Sequence, residues 1–125
     1  MSPTACAMKV PGPDHPIAIV RHAGHVRVMA AGHVIAESRN ALVLREAQYP
    51  PVYYIPRADA DMTALARSSH STWCPYKGAC SYFDIGGSAK GANAVWTYES
   101  PHEAVAEIKD HLAFYPDRVD GIEVG

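Results

Sequence analysis

Thr72-Trp73-Cys74-Pro75-Tyr76-Lys77-Gly78 places a thiol, a phenol and an amine within four residues. Pro75 fixes φ at the first inner position of a turn, Gly78 supplies permissive geometry at its end, and the residue before a proline is pushed toward extended backbone. The turn should therefore hold Cys74, Tyr76 and Lys77 in one local arrangement. A Cys74 thiolate beside Lys77 and a turn rich in backbone N–H groups would be a nucleophile. Lys77 could form an imine with a carbonyl or anchor an anion. Both residues also have a plain structural reading: free cysteine usually fills a core, and a turn lysine usually faces solvent. A nucleophilic thiol also needs a base. His70 lies about 13 Å upstream along an extended strand, and His33 or His111 could approach only through the fold.

Other groups add to this inventory. Arg57 and Arg118 could pair a carboxylate or phosphate, but Asp59 and Asp117 stand beside them as structural partners. His70-x3-Cys74-x5-Cys80 offers three ligand types to zinc, and a Cys74–Cys80 disulfide requires the two residues in direct register across the turn. Three cysteines at irregular spacing are not a disulfide framework, so a reducing, cytoplasmic setting is expected. Tyr49, Tyr53, Tyr54, Tyr76, Tyr82, Trp96 and Tyr98 lie on or beside β-like runs. They would either line an apolar pocket with hydroxyl handles or form the core and rim of a small β domain. Alternation sends Tyr53 and Tyr54 to opposite sheet faces, so at most one enters a given pocket.

The elements that must position these groups are mostly strands. Apolar/polar alternation and turn residues mark strands at 17–20, 25–29, 33–37, 41–46, 52–55, 71–74, 81–85 and 94–98, with an edge strand within 119–124. Asp59 to Ala66 reads as a short helical turn capped by Asp59. Ser100, Pro101 and Glu103 make a capping box, and Ala104, Val105, Ile108 and Leu112 share a face, which predicts one amphipathic helix ending near Phe114. Residues 1–14, with three prolines and Cys6, read as a flexible tail before a single domain over 15–125. The fold class is β-rich α+β.

Four ordered blocks resemble the family known as domain of unknown function 427, which also carries a nucleotidyltransferase-like label. They are Glu46-x-x-Tyr49-Pro50-Pro51-Val52-Tyr53-Tyr54-Ile55-Pro56-Arg57-x-Asp59; Thr72-x-Cys74-Pro75-Tyr76-Lys77-Gly78 followed by Ser81-Tyr82; Ala94-x-Trp96-x-Tyr98-x-x-Pro101; and Phe114-Tyr115-Pro116-Asp117-Arg118-Val119-Asp120. His15-Pro16-Ile17 fits the family's usual opening. The resemblance spans residues 15–120 and implies antiparallel strands in a compact β-tent-like fold with one C-terminal helix. It carries no activity. Several β-tent proteins hold zinc in paired Cys-x-x-Cys knuckles, which this chain lacks, and the family form usually has a small residue where Cys80 stands. No cofactor or metal is implied. A nucleotidyltransferase would need paired carboxylates near a Gly-Ser helix start, and Gly86 to Gly91 lies between strands instead.

With 125 residues and a net charge of −2, the chain is one soluble globular domain with scattered cations, which argues against nucleic acid. No apolar run approaches the ~20 residues of a membrane span. The favoured function is binding of a small molecule around the 72–82 hairpin, with Lys77 and Arg57 giving a preference for anions. Tyr54, Arg57, Thr72, Tyr76, Tyr82 and Trp96 would line that site, with Lys77 or Cys74 reactive if a reaction follows. The competing function is a non-catalytic interaction or scaffold domain.

Overall fold

The computed structural model describes residues 8–125, so Cys6 lies outside it. Ten strands carry the fold: β1 (Ile17–Arg21), β2 (Val26–Ala30), β3 (His33–Ser38), β4 (Leu42–Glu46), β5 (Val52–Pro56), β6 (Leu65–Cys74), β7 (Gly78–Ile85), β8 (Val95–Thr97), β9 (His111–Phe114) and β10 (Gly121–Val124). Seven form one antiparallel sheet in the order β1-β4-β5-β9-β8-β7-β6, and three form a second in the order β10-β2-β3. The chain is therefore β-rich and antiparallel. No helix among the described residues is long and apolar enough to cross a membrane.

Side-chain alternation sorts the large sheet into two cores. Ile55, Phe83, Ile85, Val95, Leu112 and Phe114 face the small sheet and pack on Val26, Val28 and Ile35. Leu44, Tyr54, Cys80, Tyr82 and Ala113 point the other way and pack on Tyr98, Val105 and Ile108. The β2–β3 hairpin turns at Ala31 and Gly32, both at positive φ (53° and 78°), as a two-residue turn with the twist of antiparallel strands demands. Ala31 has a Cβ in this region, so Ala31→Gly is expected to raise the unfolding free energy by about 0.5–1 kcal/mol, measured as a higher urea midpoint at unchanged slope.

Three expectations are corrected. The amphipathic helix of residues 101–114 does not form. Glu103–Ile108 makes 3₁₀ turns broken at Val105, the preceding His102 gives no side-chain cap, and Asp110 sits at φ 59°. His111–Phe114 then becomes β9, pairing β5 on one side and β8 on the other. The apolar spacing was a real burial signal: Val105, Ile108 and Leu112 are fully buried. A central strand buries Leu112 and Ala113 on opposite faces and bonds its backbone on both edges, which a one-striped surface helix cannot do.

At residues 57–64 there are two 3₁₀ turns, and Asp61 caps the second by accepting from the Thr63 amide. Asp59 instead accepts from Ser38 Oγ at 2.6 Å. The strand before the Cys-Pro turn begins at Leu65 rather than Ser71, with a register shift between Arg67 and Ser71.

Candidate functional site

The β6–β7 hairpin presents the Cys-Pro-Tyr-Lys motif as expected, with Cys74 paired to Gly78. Gly78 is required twice over. Its φ is +106°, and a Cβ there would lie 3.2 Å from the His102 ring. The turn aims Lys77 inward, where only 8% of the residue is exposed. Its Nζ donates to Glu46 Oε1. His15 Nε2 donates to the other carboxylate oxygen at 2.7 Å, and the His15 ring stacks flat on Tyr76 at 3.9 Å. Burial pushes the Glu46 carboxyl up, but the bonds from Lys77 and His15 outweigh it and hold it below the usual carboxylate range. Three distant stretches are thereby clamped together: the opening His15, the start of the Tyr-Pro-Pro block and the Cys-Pro turn. The Lys9 amide adds a bond to the Pro75 carbonyl at 2.9 Å.

Arg57 is held elsewhere. It donates to Glu99 Oε2 at 2.9 Å, and Arg67 donates to the same carboxylate. Both guanidiniums lie about 5.5 Å from the Phe83 ring centre. The Arg67 hydrogen bond first, and Arg57 after it, lowers the Glu99 pKa to about 2 against a partial burial penalty. A depressed carboxyl stabilises the fold above its ordinary pKa and loses that contribution as pH falls toward 2. Glu99 is one-third exposed, so solvent screening reduces the effect to about 1 kcal/mol. Glu99→Gln should thus lose about 1 kcal/mol at pH 7 and show a shallower fall in stability between pH 4.5 and 2 in urea titrations. An unchanged acid limb would remove Glu99 from this role.

Thr72 and Tyr82 meet at 2.9 Å between hydroxyls, and His70 packs on the Tyr82 ring at 4.6 Å rather than on a thiol. Thr72, not Cys74, stands opposite Cys80, and both cysteines are free. Burial pushes the Cys80 thiol up and pushes the Tyr54, Tyr82 and Tyr98 phenols far above their ordinary range. Cys74 is half-buried against the same core. Lys77, the cation expected to activate it, is committed to Glu46. No group of three or more metal-binding side chains is gathered among the described residues.

An aromatic cleft lies between the sheets. The pairing of β5 with β9 covers only Ile55↔Leu112 and Pro56↔His111. Before that point β5 stays with β4, while Ala113 and Phe114 stay with β8. The strands splay apart, and the wedge between them is a cleft of about 500 Å³. Tyr53, Ile55, Trp96 and Phe114 wall it, Tyr49 and the prolines 50, 51 and 116 rim it, and Val26, Val28 and Ile122 of the small sheet close it.

Trp96 is a preset wall. Its indole N–H donates to Tyr54 Oη at 3.2 Å, Tyr54 meets it edge-on, and Tyr115 packs on it at 4.5 Å. Arg118, which donates to the Ala92 and Asn93 carbonyls, lies 4.7 Å over Tyr115.

A family model described as a domain of unknown function (DUF427, NTP_transf_9) matches residues 18–125. The chain belongs to the DUF427 family. No curated protein matches it. All the cleft residues except Val26, Val28 and Ile122 fall within the blocks by which the sequence resembles DUF427. The eight residues read from the DUF427 motifs do not converge on one site. Lys77 and Tyr76 join the His15–Glu46 clamp, Thr72 pairs with Tyr82 near Cys74, Arg57 sits with Glu99, and Tyr54 backs Trp96. The partners missed were Glu46, Glu99 and Phe114, while Tyr49 and Tyr53, named among the pocket aromatics but not among the hairpin-site residues, line the cleft. Glu46 opens a motif block, and Tyr53 shares its parity with Ile55, but nothing local in the sequence announces that β5 and β9 part between them.

Proposed function

We propose that this DUF427 domain binds a small molecule in the inter-sheet cleft, and that it does so without catalysing a reaction. The observation that carries this reading is the cleft itself, about 500 Å³ with aromatic walls and a rigid proline rim. Small-molecule sites are typically concave, mostly apolar and already formed before the ligand arrives. The tyrosine phenols at positions 49 and 53 are the only ionisable side chains among its described lining residues, and those residues offer no nucleophile, strong base or metal ligand. The hairpin expected to hold the ligand lies behind the site: its Tyr82 stands opposite Trp96 across β7 and β8, and Cys80 and Tyr82 share a core cluster with Tyr54.

A thermal-shift screen of neutral aromatics, sugars, carboxylic acids and nucleotides tests it. A true ligand at about 100 times its Kd stabilises by about 2.7 kcal/mol, a rise of roughly 10 °C. Ile122→Trp, which fills the cleft from a half-buried edge-strand position, should fold and show no shift. If no compound raises the wild-type Tm, the domain is an interaction module and the aromatics are core.

A further inference from the structure

We infer that the cleft takes an uncharged, largely planar apolar ligand and excludes nucleotides and other phosphate-bearing molecules. This rests on the cleft being a binding site. Two observations point to the class. First, no lysine, arginine or histidine is among the lining residues. Second, the cations expected to serve an anion are already committed: Lys77 to Glu46, Arg57 to Glu99, and Arg118 to two carbonyls and the Tyr115 face. A phosphate entering an apolar wedge would lose its hydration and find no partner.

Flat aromatic surfaces are plentiful, by contrast. Trp96, Tyr53 and Phe114 offer ring contacts to a planar guest. The Tyr49 and Tyr53 rings line the cleft, and their phenols would offer a hydrogen bond to a carbonyl or hydroxyl on the guest. The nucleotidyltransferase-like label of the family thus finds no nucleotide chemistry in this cavity.

The test uses the full chain carrying Trp73→Phe, which removes the half-exposed hairpin indole and leaves Trp96 as the sole tryptophan. Its fluorescence then reports on the cleft alone. Nile red, a neutral planar probe, is titrated first; AMP and inorganic phosphate are then added as direct ligands and as competitors. The expected result is saturable Trp96 quenching by Nile red, no quenching or competition by AMP or phosphate, and at least a tenfold weaker Nile red affinity in Trp73→Phe/Ile122→Lys.

Trp73→Phe/Val124→Lys puts the same charge on an exposed position of the same edge strand outside the cleft lining and should leave Nile red affinity within about threefold, and a cooperative urea transition for the Ile122→Lys variant keeps misfolding from standing in for the result. AMP or phosphate displacing Nile red would overturn the ligand class while keeping the cleft as a site. Absence of quenching by every probe would overturn the cleft reading and this inference with it.

Discussion

Replacing Lys77 with methionine is expected to lower the unfolding free energy by about 3 kcal/mol, which for a domain of this size is a fall in Tm of roughly 10 °C. Methionine keeps most of the aliphatic stem, so the loss comes from the carboxylate left behind. Glu46 is only 14% exposed on its side chain and would retain His15 alone. The effect has a definite pH dependence. In the native pair Glu46 is held low, so its contribution is present above the ordinary carboxylate pKa and lost in acid. Without Lys77 burial acts unopposed by that amine, and the carboxyl protonates more readily. The deficit of the variant should therefore be largest at neutral pH and shrink below pH 4. Lys77→Met/Glu46→Leu should recover most of the stability, because apolar replacements of both partners remove the uncompensated charge. A urea midpoint for Lys77→Met equal to wild type would mean that the amine faces solvent.

Trp96→Ala should cost about 3–4 kcal/mol and abolish binding in the cleft. Truncating a large aromatic in a packed site costs this much through lost burial and the cavity left behind. Two further losses are specific here. The Tyr54 hydroxyl, on a residue that is 1% exposed, loses its donor, and Tyr115 loses the ring it packs on. Trp96→Phe separates these effects. It keeps a ring against Tyr115 and gives up the indole N–H, so it should lose about 1–2 kcal/mol and retain measurable binding. Chemical denaturation gives the stability and Nile red fluorescence gives the binding. If Trp96→Ala bound the probe as well as wild type, the cleft would not be the site.

Strands were legible because alternation over four or more residues is a local property. β2, β3, β4 and β5 lie where their patterns put them, and the turns at 31–32 and 38–40 follow from their residues. The helix was misread for a reason that is not local. Ala104, Val105, Ile108 and Leu112 record which side chains must leave water, and both a helix and a turn-plus-strand can satisfy that record. Positive φ at Asp110 and two open ladder positions beside Leu112 and Ala113 decided between them. Only the rest of the sheet supplies those positions.

The candidate site divides in the same way. Residue type and order were sufficient for the family, for the hairpin that presents Cys74 to Gly78, and for the parity that keeps Tyr53 and Tyr54 on opposite faces. Tertiary structure alone decided what each group does. It turned Lys77 from a free amine into the partner of Glu46, 31 residues away. It gave Arg57 to Glu99 across 42 residues, and set Thr72 instead of Cys74 opposite Cys80. It opened an aromatic cleft where β5 and β9 separate. Charges and cavities depend on which strands become neighbours, and sheet order is a long-range property that no window of sequence contains.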